Sequence, residues 1–374
     1  MEVIIKREDF LRSLSRTQGV VEKRSIMPIL ENVLLEAKSG RINFTATDLE
    51  VGVHGSCEAE VKKEGKIAVL AKKVLEIARE LPEEKVSLRL RESVQGGNWI
   101  EIACGKAVFN ITSMDPKEYP ALPIREDMEF FQIDSEKIRD MIRKTIFAAS
   151  IDEKRYNLNG VFFEKDKSII RMVATDGHRL SLIEREDLED GSLSLEKGVI
   201  FPRKGLNELK RILDEEKQEK RVYVGFRENN AVFKTENISV IMRLIDSEFP
   251  DYRRLVPAED GGILRINRGH LLSSLRRVSL LSGSRLKAVR FSISPGKVEL
   301  RASSPEYGEA YDEIPMAYEG SEVEVAFNAS YMIEVLNVLD SQEVVVKLKD
   351  ATAPAVVRPS DDDRHTCIIM PMRI

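Results

Sequence analysis

The stretch RMVATDGHRLSLI, Arg171 to Ile183, sets Asp176, His178 and Arg179 side by side between two apolar runs. A carboxylate, an imidazole and a guanidinium so close together are ingredients of acid–base chemistry, because a histidine exchanges protons near neutral pH. A hydrolase using Asp176 and His178 is therefore one reading. It lacks a nucleophile partner, and no GxSxG, HExxH, Walker A or GxGxxG accompanies it. Cys57, Cys104 and Cys367 are far apart and in no CxxC spacing, so neither a zinc site nor a disulfide framework is expected. A chain without cofactor or metal, in a reducing cytoplasm, fits that usage. The charged N-terminus MEVIIKREDF does not read as a secretory peptide, and no apolar run approaches the length of a membrane helix.

The elements around the stretch give it a different meaning. Its frame, NGVFFEKDKSIIRMVATDGHRLSLI, is repeated as ENVLLEAKSGRINFTATDLEVGV and KAVRFSISPGKVELRASSPEYGEA. Val33, Val161 and Val289 are equivalent at a common spacing of 128 residues. Each copy reads as two alternating strands joined by a tight turn. An amphipathic helical pattern precedes each hairpin, and a second one follows it. The spacing predicts helices over 6–24, 71–82, 134–147, 202–214, 267–278 and 328–339, with Asn328 as an N-cap and Pro202 in a first turn. The chain of 374 residues is thus an α+β protein of three tandem copies, each of two helices and antiparallel strands, with boundaries near Pro123 and Pro257: 1–124, 125–257 and 258–374. Within this repeat Thr175–Asp176 matches Thr47–Asp48 and Ser303–Ser304, residue types that bond their own backbone at turns. Asp176 then reads as a turn residue. His178 matches Glu50 and Glu306 and is not part of the shared plan.

Net charge is −5, but its distribution is uneven. The expected helices carry an excess of Lys and Arg, and the turns and strands are acidic, as in EREDLED, EYGEAYDE and SDDD. If the helices share one face, that face is basic, suited to holding a phosphate backbone without reading its sequence. No major-groove reader is visible, and aromatic residues at 6% argue against a stacking platform for single strands.

The motifs MPILENVLLEA, TATDLEVGV, RYNLNGVFFE, ATDGHRL, FPRKGLNEL, FPDYRRLVP, FNASYMIEVLN and terminal MPMRI, taken together and in order, resemble the bacterial DNA polymerase III beta subunit family, the replicative sliding clamps. The resemblance covers the whole chain. It implies a non-catalytic processivity factor: a head-to-tail homodimer of clamp domains closing a six-domain ring around duplex DNA in the nucleoid. The implied partners are the polymerase III alpha subunit, the clamp loader, and other polymerases and repair proteins carrying short linear motifs. A clamp-fold hub that binds peptides without encircling DNA is the runner-up.

Carried over residue by residue, the resemblance implies a client-peptide pocket of Leu158, Thr175, Gly177, His178, Arg179, Leu180, Pro250, Arg254, Leu255, Ile368, Met370, Pro371, Met372 and Arg373. Burying two client side chains there would contribute roughly 3–6 kcal/mol, of the about 8 kcal/mol that micromolar binding needs. For DNA it implies Arg24, Lys72, Lys73, Arg79, Tyr156, Arg203 and Lys204. For the dimer seam it implies Lys106, Leu280, Leu281, Glu306 and Glu309. Asn157 stands where the family often has a second aromatic. Ala103 and Val108 stand where it can be basic, leaving the apolar part of the seam as the part implied.

Overall fold

The computed structural model describes all residues except 22–26, 93–97, 124–127, 153, 187–194, 196, 217, 219, 257–260, 284–285 and 374. Its six helices are α1 (Arg7–Thr17), α2 (Ala71–Glu80), α3 (Ser135–Thr145), α4 (Arg203–Glu215), α5 (Arg268–Val278) and α6 (Ala329–Val338). Five follow the expected spans closely. The first is shorter than the expected 6–24. Gly19, Val20 and Val21 are poor helix formers, and the last turn tightens, with Gln18 N–H donating to the Ser15 carbonyl at 3.3 Å. Asn328 caps α6 as expected, its Oδ1 accepting from the Ser330 N–H at 2.9 Å.

The chain folds as two compact units, residues 1–136 with 204–244 and residues 137–203 with 245–374. The middle copy therefore contributes to both. In the first unit a 13-stranded sheet joins the strands of the first copy to four strands of the middle copy. The join is antiparallel, Ile238–Arg243 against Val51–Glu58, with Val240 opposite Val53 and Ile241 opposite Gly52. Helices α1 and α2 cover this sheet because Phe10, Leu14, Val74, Leu75 and Ala78 recur at helical spacing and bury against Val33, Leu35, Phe44 and Ile67. Each such large side chain, fully removed from water, contributes about 1.5–3 kcal/mol.

The second unit repeats the device. A nine-stranded sheet joins Arg179–Glu186 of the middle copy to His365–Ile369 of the last, with Leu180 opposite Ile368. A four-stranded sheet, Gly308–Pro315, Lys297–Ser304, Ala288–Ser294 and Val323–Asn328, packs with α5 and α6 around Phe291, Phe327, Leu275 and Leu336. An ionic cluster sits beside the strand join. The nearly buried Lys144 places Nζ 2.9 Å from Asp140 and 3.3 Å from Asp340. Arg143 bonds the same two carboxylates, and Arg185 reaches Asp362 at 2.7 Å. Among the described residues no helix is long and apolar enough to cross a membrane.

Candidate functional site

The turn that follows the strand Ile169–Thr175 answers what Asp176 does. Its Oδ1 accepts from the backbone N–H groups of His178 (2.9 Å) and Arg179 (3.0 Å). The Thr175 hydroxyl donates to the Arg179 carbonyl (2.6 Å) and accepts from the Gly177 N–H (3.0 Å). The first copy makes the same bonds: Asp48 accepts from Glu50 (2.9 Å) and Val51 (2.6 Å), and Thr47 bonds Val51 and Leu49, each at 3.0 Å. In the third copy Ser304 Oγ accepts from Glu306 N–H at 3.3 Å. The turn needs a left-handed residue, and Gly177 supplies it at φ 86°; Leu49 does so at φ 76° without glycine's freedom. Asp176 thus commits Oδ1 to the backbone of its own turn, which is what the repeat predicts. Asp48→Ala and Asp176→Ala are each expected to cost about 1–3 kcal/mol, since two backbone N–H groups of each turn lose a carboxylate acceptor. Urea unfolding checks this, and an unchanged midpoint in both variants would contradict the assignment.

Arg179 is 8% exposed and is held from several sides. Its Nε donates to Asp176 Oδ2 (3.1 Å), one terminal nitrogen to Glu334 (2.6 Å) and the other to the Phe147 carbonyl (2.6 Å). Its plane lies over the rings of Tyr331 (4.5 Å) and Phe147 (5.3 Å). The His178 ring stacks on Tyr331 as well, with centroids 6.4 Å apart. Both side chains therefore engage α6. Leu180, the next residue, points to the other face of the strand, as alternation requires.

On that other face Leu180 joins Val173, Tyr252 and Ile368 in a buried apolar cluster, with Phe162, Leu182, Phe249 and Val256 packed against it. Phe249 stacks on Phe162, with centroids 5.0 Å apart. The connector FPDYRRL is pinned above the sheet by Glu164, which accepts from the Tyr252 hydroxyl (2.6 Å) and from Arg253 (2.7 Å). Burial, and then the Glu164 carboxylate, push the Tyr252 phenol well above its usual range. Pro250 is half-buried, while Leu255 and Arg254 are exposed. The tail arrives from the strand His365–Ile369: Met370 N–H donates to the His178 carbonyl (2.9 Å), and Met370 is 43% exposed. Met372 N–H then donates to the Ala326 carbonyl (2.8 Å), so the tail runs on to another strand; Pro371 is half-buried and Arg373 exposed. Leu158 closes a 3-10 turn, and its carbonyl accepts from Ser150 N–H.

The structure thus brings Leu180 and Ile368 together in one buried cluster, with Met370 tied to the adjoining loop. It gives Thr175, Gly177 and Arg179 the work of shaping that loop. Glu164, Phe162 and Tyr331 are participants that the sequence reading missed. Only the repeat could have flagged Phe162, which stands 128 residues after Leu34.

The residues expected at DNA lie in both units. Lys72, Lys73 and Arg79 are exposed on α2, and Tyr156 is 56% exposed in the 3-10 turn Tyr156–Leu158. Arg203 opens α4; Lys204 pairs with the buried carboxylate of Asp48, a tie that only the fold reveals. Arg24 lies outside the described residues. Other helix cations are engaged locally, Arg16 with Glu216 (2.8 Å), Arg211 with Glu208 (2.8 Å) and Arg277 with Asp312 (2.5 Å), so the free positive charge is smaller than the sequence suggests. Of the seam residues, Lys106 follows Gly105 at an exposed hairpin turn, and Leu280 is 78% exposed in a 3-10 turn with the half-buried Leu281. Glu306 and Glu309 flank exposed Tyr307.

Three family models match in succession: the DNA polymerase III beta subunit N-terminal domain over residues 1–123, the central domain over 132–251 and the C-terminal domain over 253–373. The chain belongs to the DNA polymerase III beta subunit family. A beta sliding clamp from Haemophilus influenzae is 33% identical over 380 residues, and one from Pseudomonas aeruginosa is 32% identical over 376, each covering 100% of both chains. A crystal structure of the Pseudomonas aeruginosa beta subunit superposes with a TM-score of 0.92 at 31% identity and 100% coverage of both chains. One from Thermotoga maritima gives 0.91 at 31%, covering 100% of this chain and 99% of that one. Another Pseudomonas aeruginosa clamp structure, with a TM-score of 0.92 at 31% identity and full coverage of both chains, is described as bound to griselimycin. Sliding-clamp function in DNA replication follows from family membership, and the subunit is non-catalytic.

Proposed function

We propose that two copies of this chain close head to tail into a six-domain ring around duplex DNA, and that the cluster beneath Met370 is the floor of a groove for client peptides. The observation that carries ring closure is a pair of open sheet edges, one in each unit. Ala107–Met114 meets its second neighbour only through Ser113 and Met114, leaving Ala107–Thr112 unpaired on that side among the described residues. Among the described residues Gly308–Pro315 pairs only with Lys297–Ser304. Exposed edges of this kind invite another chain. Lys106 and the exposed Val108 sit on one edge; Glu309 and Tyr311 sit on the other, with Leu280, Leu281 and Glu306 also in that unit. A seam of apolar contacts and main-chain bonds follows. Domain limits of 1–124, 125–257 and 258–374 fit the repeat.

Lys72, Lys73, Arg79, Tyr156, Arg203 and Lys204, with Arg24, are assigned to the DNA backbone, in a sequence-independent hold that permits sliding in the nucleoid. The clients are the polymerase III alpha subunit, the clamp loader, and other polymerases and repair proteins, sharing one groove through short linear motifs. The deciding experiment loads the chain onto nicked circular DNA and then linearises it. A ring is retained on the circle and released from free ends, whereas retention on linear DNA overturns encirclement. Met370→Ala with Met372→Ala is expected to weaken client peptides at least about tenfold, through lost apolar contact. Fluorescence anisotropy reads this, with ultracentrifugation showing the dimer unchanged; unaltered client affinity rejects the groove.

A further inference from the structure

The repeat that builds the client groove builds a counterpart where the first and middle copies join. Phe162, Val173, Leu180 and Leu182 correspond to Leu34, Thr45, Gly52 and His54, and Gly52 faces Ile241 as Leu180 faces Ile368. Tyr119 packs with Leu34 as Phe249 stacks on Phe162. The chemistry has diverged. Thr45 and His54, bonded to each other at 3.0 Å, stand where the other floor has methyl groups, and Leu122 occupies the space beside Gly52. A cavity of about 800 Å³ opens over these residues. It shares Phe130, Lys234, Thr235 and Glu236 with a second cavity of about 680 Å³ that reaches Tyr223, so the two form one elongated trough.

Charge decides the occupant. Lys66, Lys220, Arg221 and Lys234 line the trough against Glu236, with Glu36 paired to Lys66 at 2.9 Å. An excess of cations beside exposed Tyr223 and half-buried Phe130 complements an acidic chain with an apolar anchor, and two joined cavities suit an extended one. The geometry points to a second docking groove, in the first unit, for an extended acidic peptide segment of a partner protein carrying one aromatic anchor. It takes its architecture from the repeat and does not depend on the Met370 groove binding clients.

The test titrates the full chain with a fluorescein-labelled Glu-Asp-Glu-Leu-Phe-Glu-Asp peptide, read by anisotropy at low salt. Lys234→Glu with Tyr223→Ala, both exposed positions, is expected to weaken binding about tenfold. The Met370→Ala, Met372→Ala chain is expected to retain that binding. Lys220→Glu is an independent variant expected to act in the same direction. Affinity unchanged by either first-unit change overturns the groove, as does binding abolished by the methionine pair alone. Equal binding of the Lys-substituted peptide, or displacement of the acidic peptide by a duplex oligonucleotide, also overturns it.

Discussion

Arg179→Ala is expected to destabilise the second unit by about 3–5 kcal/mol, because it takes a buried guanidinium away from the half-buried Asp176 carboxylate and removes a cation from between two rings. A single change would withdraw the bonds to Asp176, Glu334 and the Phe147 carbonyl, and both ring contacts. For a unit of this size that is a fall in Tm of roughly 10 °C by calorimetry. Arg179→Lys should recover little, since an ammonium cannot donate in three directions while stacking flat. A lysine variant melting with the wild type would refute the role of the planar fork. Because Met370 is bonded to His178 in the same loop, the alanine variant should also loosen the tail.

The second large effect is a dependence on pH. His365 lies buried in the join between Arg179–Glu186 and His365–Ile369, its Nε2 3.2 Å from the Ser181 hydroxyl and its Nδ1 without a hydrogen-bond partner among the described residues. Burial, reinforced by the Lys144 ammonium, lowers its pKa to about 4 from 6.5. The folded state therefore holds the ring neutral where the unfolded chain would protonate it. Stability is unaffected above the unfolded pKa of 6.5 and falls as pH drops from there toward the folded value of about 4. The full loss is about 3 kcal/mol. His365→Leu should remove this slope. His54, also lowered by burial, keeps its own in both proteins, so the difference isolates His365. Urea unfolding at about pH 7.5 and about pH 5 measures it, and parallel losses in the two proteins would count against the assignment.

How much of this was legible in one dimension depended on whether a residue repeats. The Asp48 and Asp176 turns could be read because short polar side chains at a 128-residue spacing have one local job. The helices could be read because Ile138, Met141 and Ile142 recur at helical spacing and are all buried. The end of α1 was misjudged because an apolar pattern continues through Val20, which is buried but in a turn. The resemblance places Arg179 in the client-peptide pocket. Its engagement with Glu334 joins residues 155 positions apart, and no local pattern encodes that. The tie between Lys204 and Asp48 is hidden for the same reason. The proposed groove at Met370 is implied by resemblance alone, since exposed methionines near a terminus have no periodicity to betray them.

Strand pairing that ignores the limits of the copies has a consequence for anyone dissecting this chain. The middle third surrenders Ile238–Arg243 to one neighbour and Arg179–Glu186 to the other. Excised at its sequence limits, it would present two raw margins at once, each with unsatisfied amides and a strip of uncovered valine, leucine and isoleucine. Such a fragment should clump on expression, and the smallest piece worth making runs through at least one join.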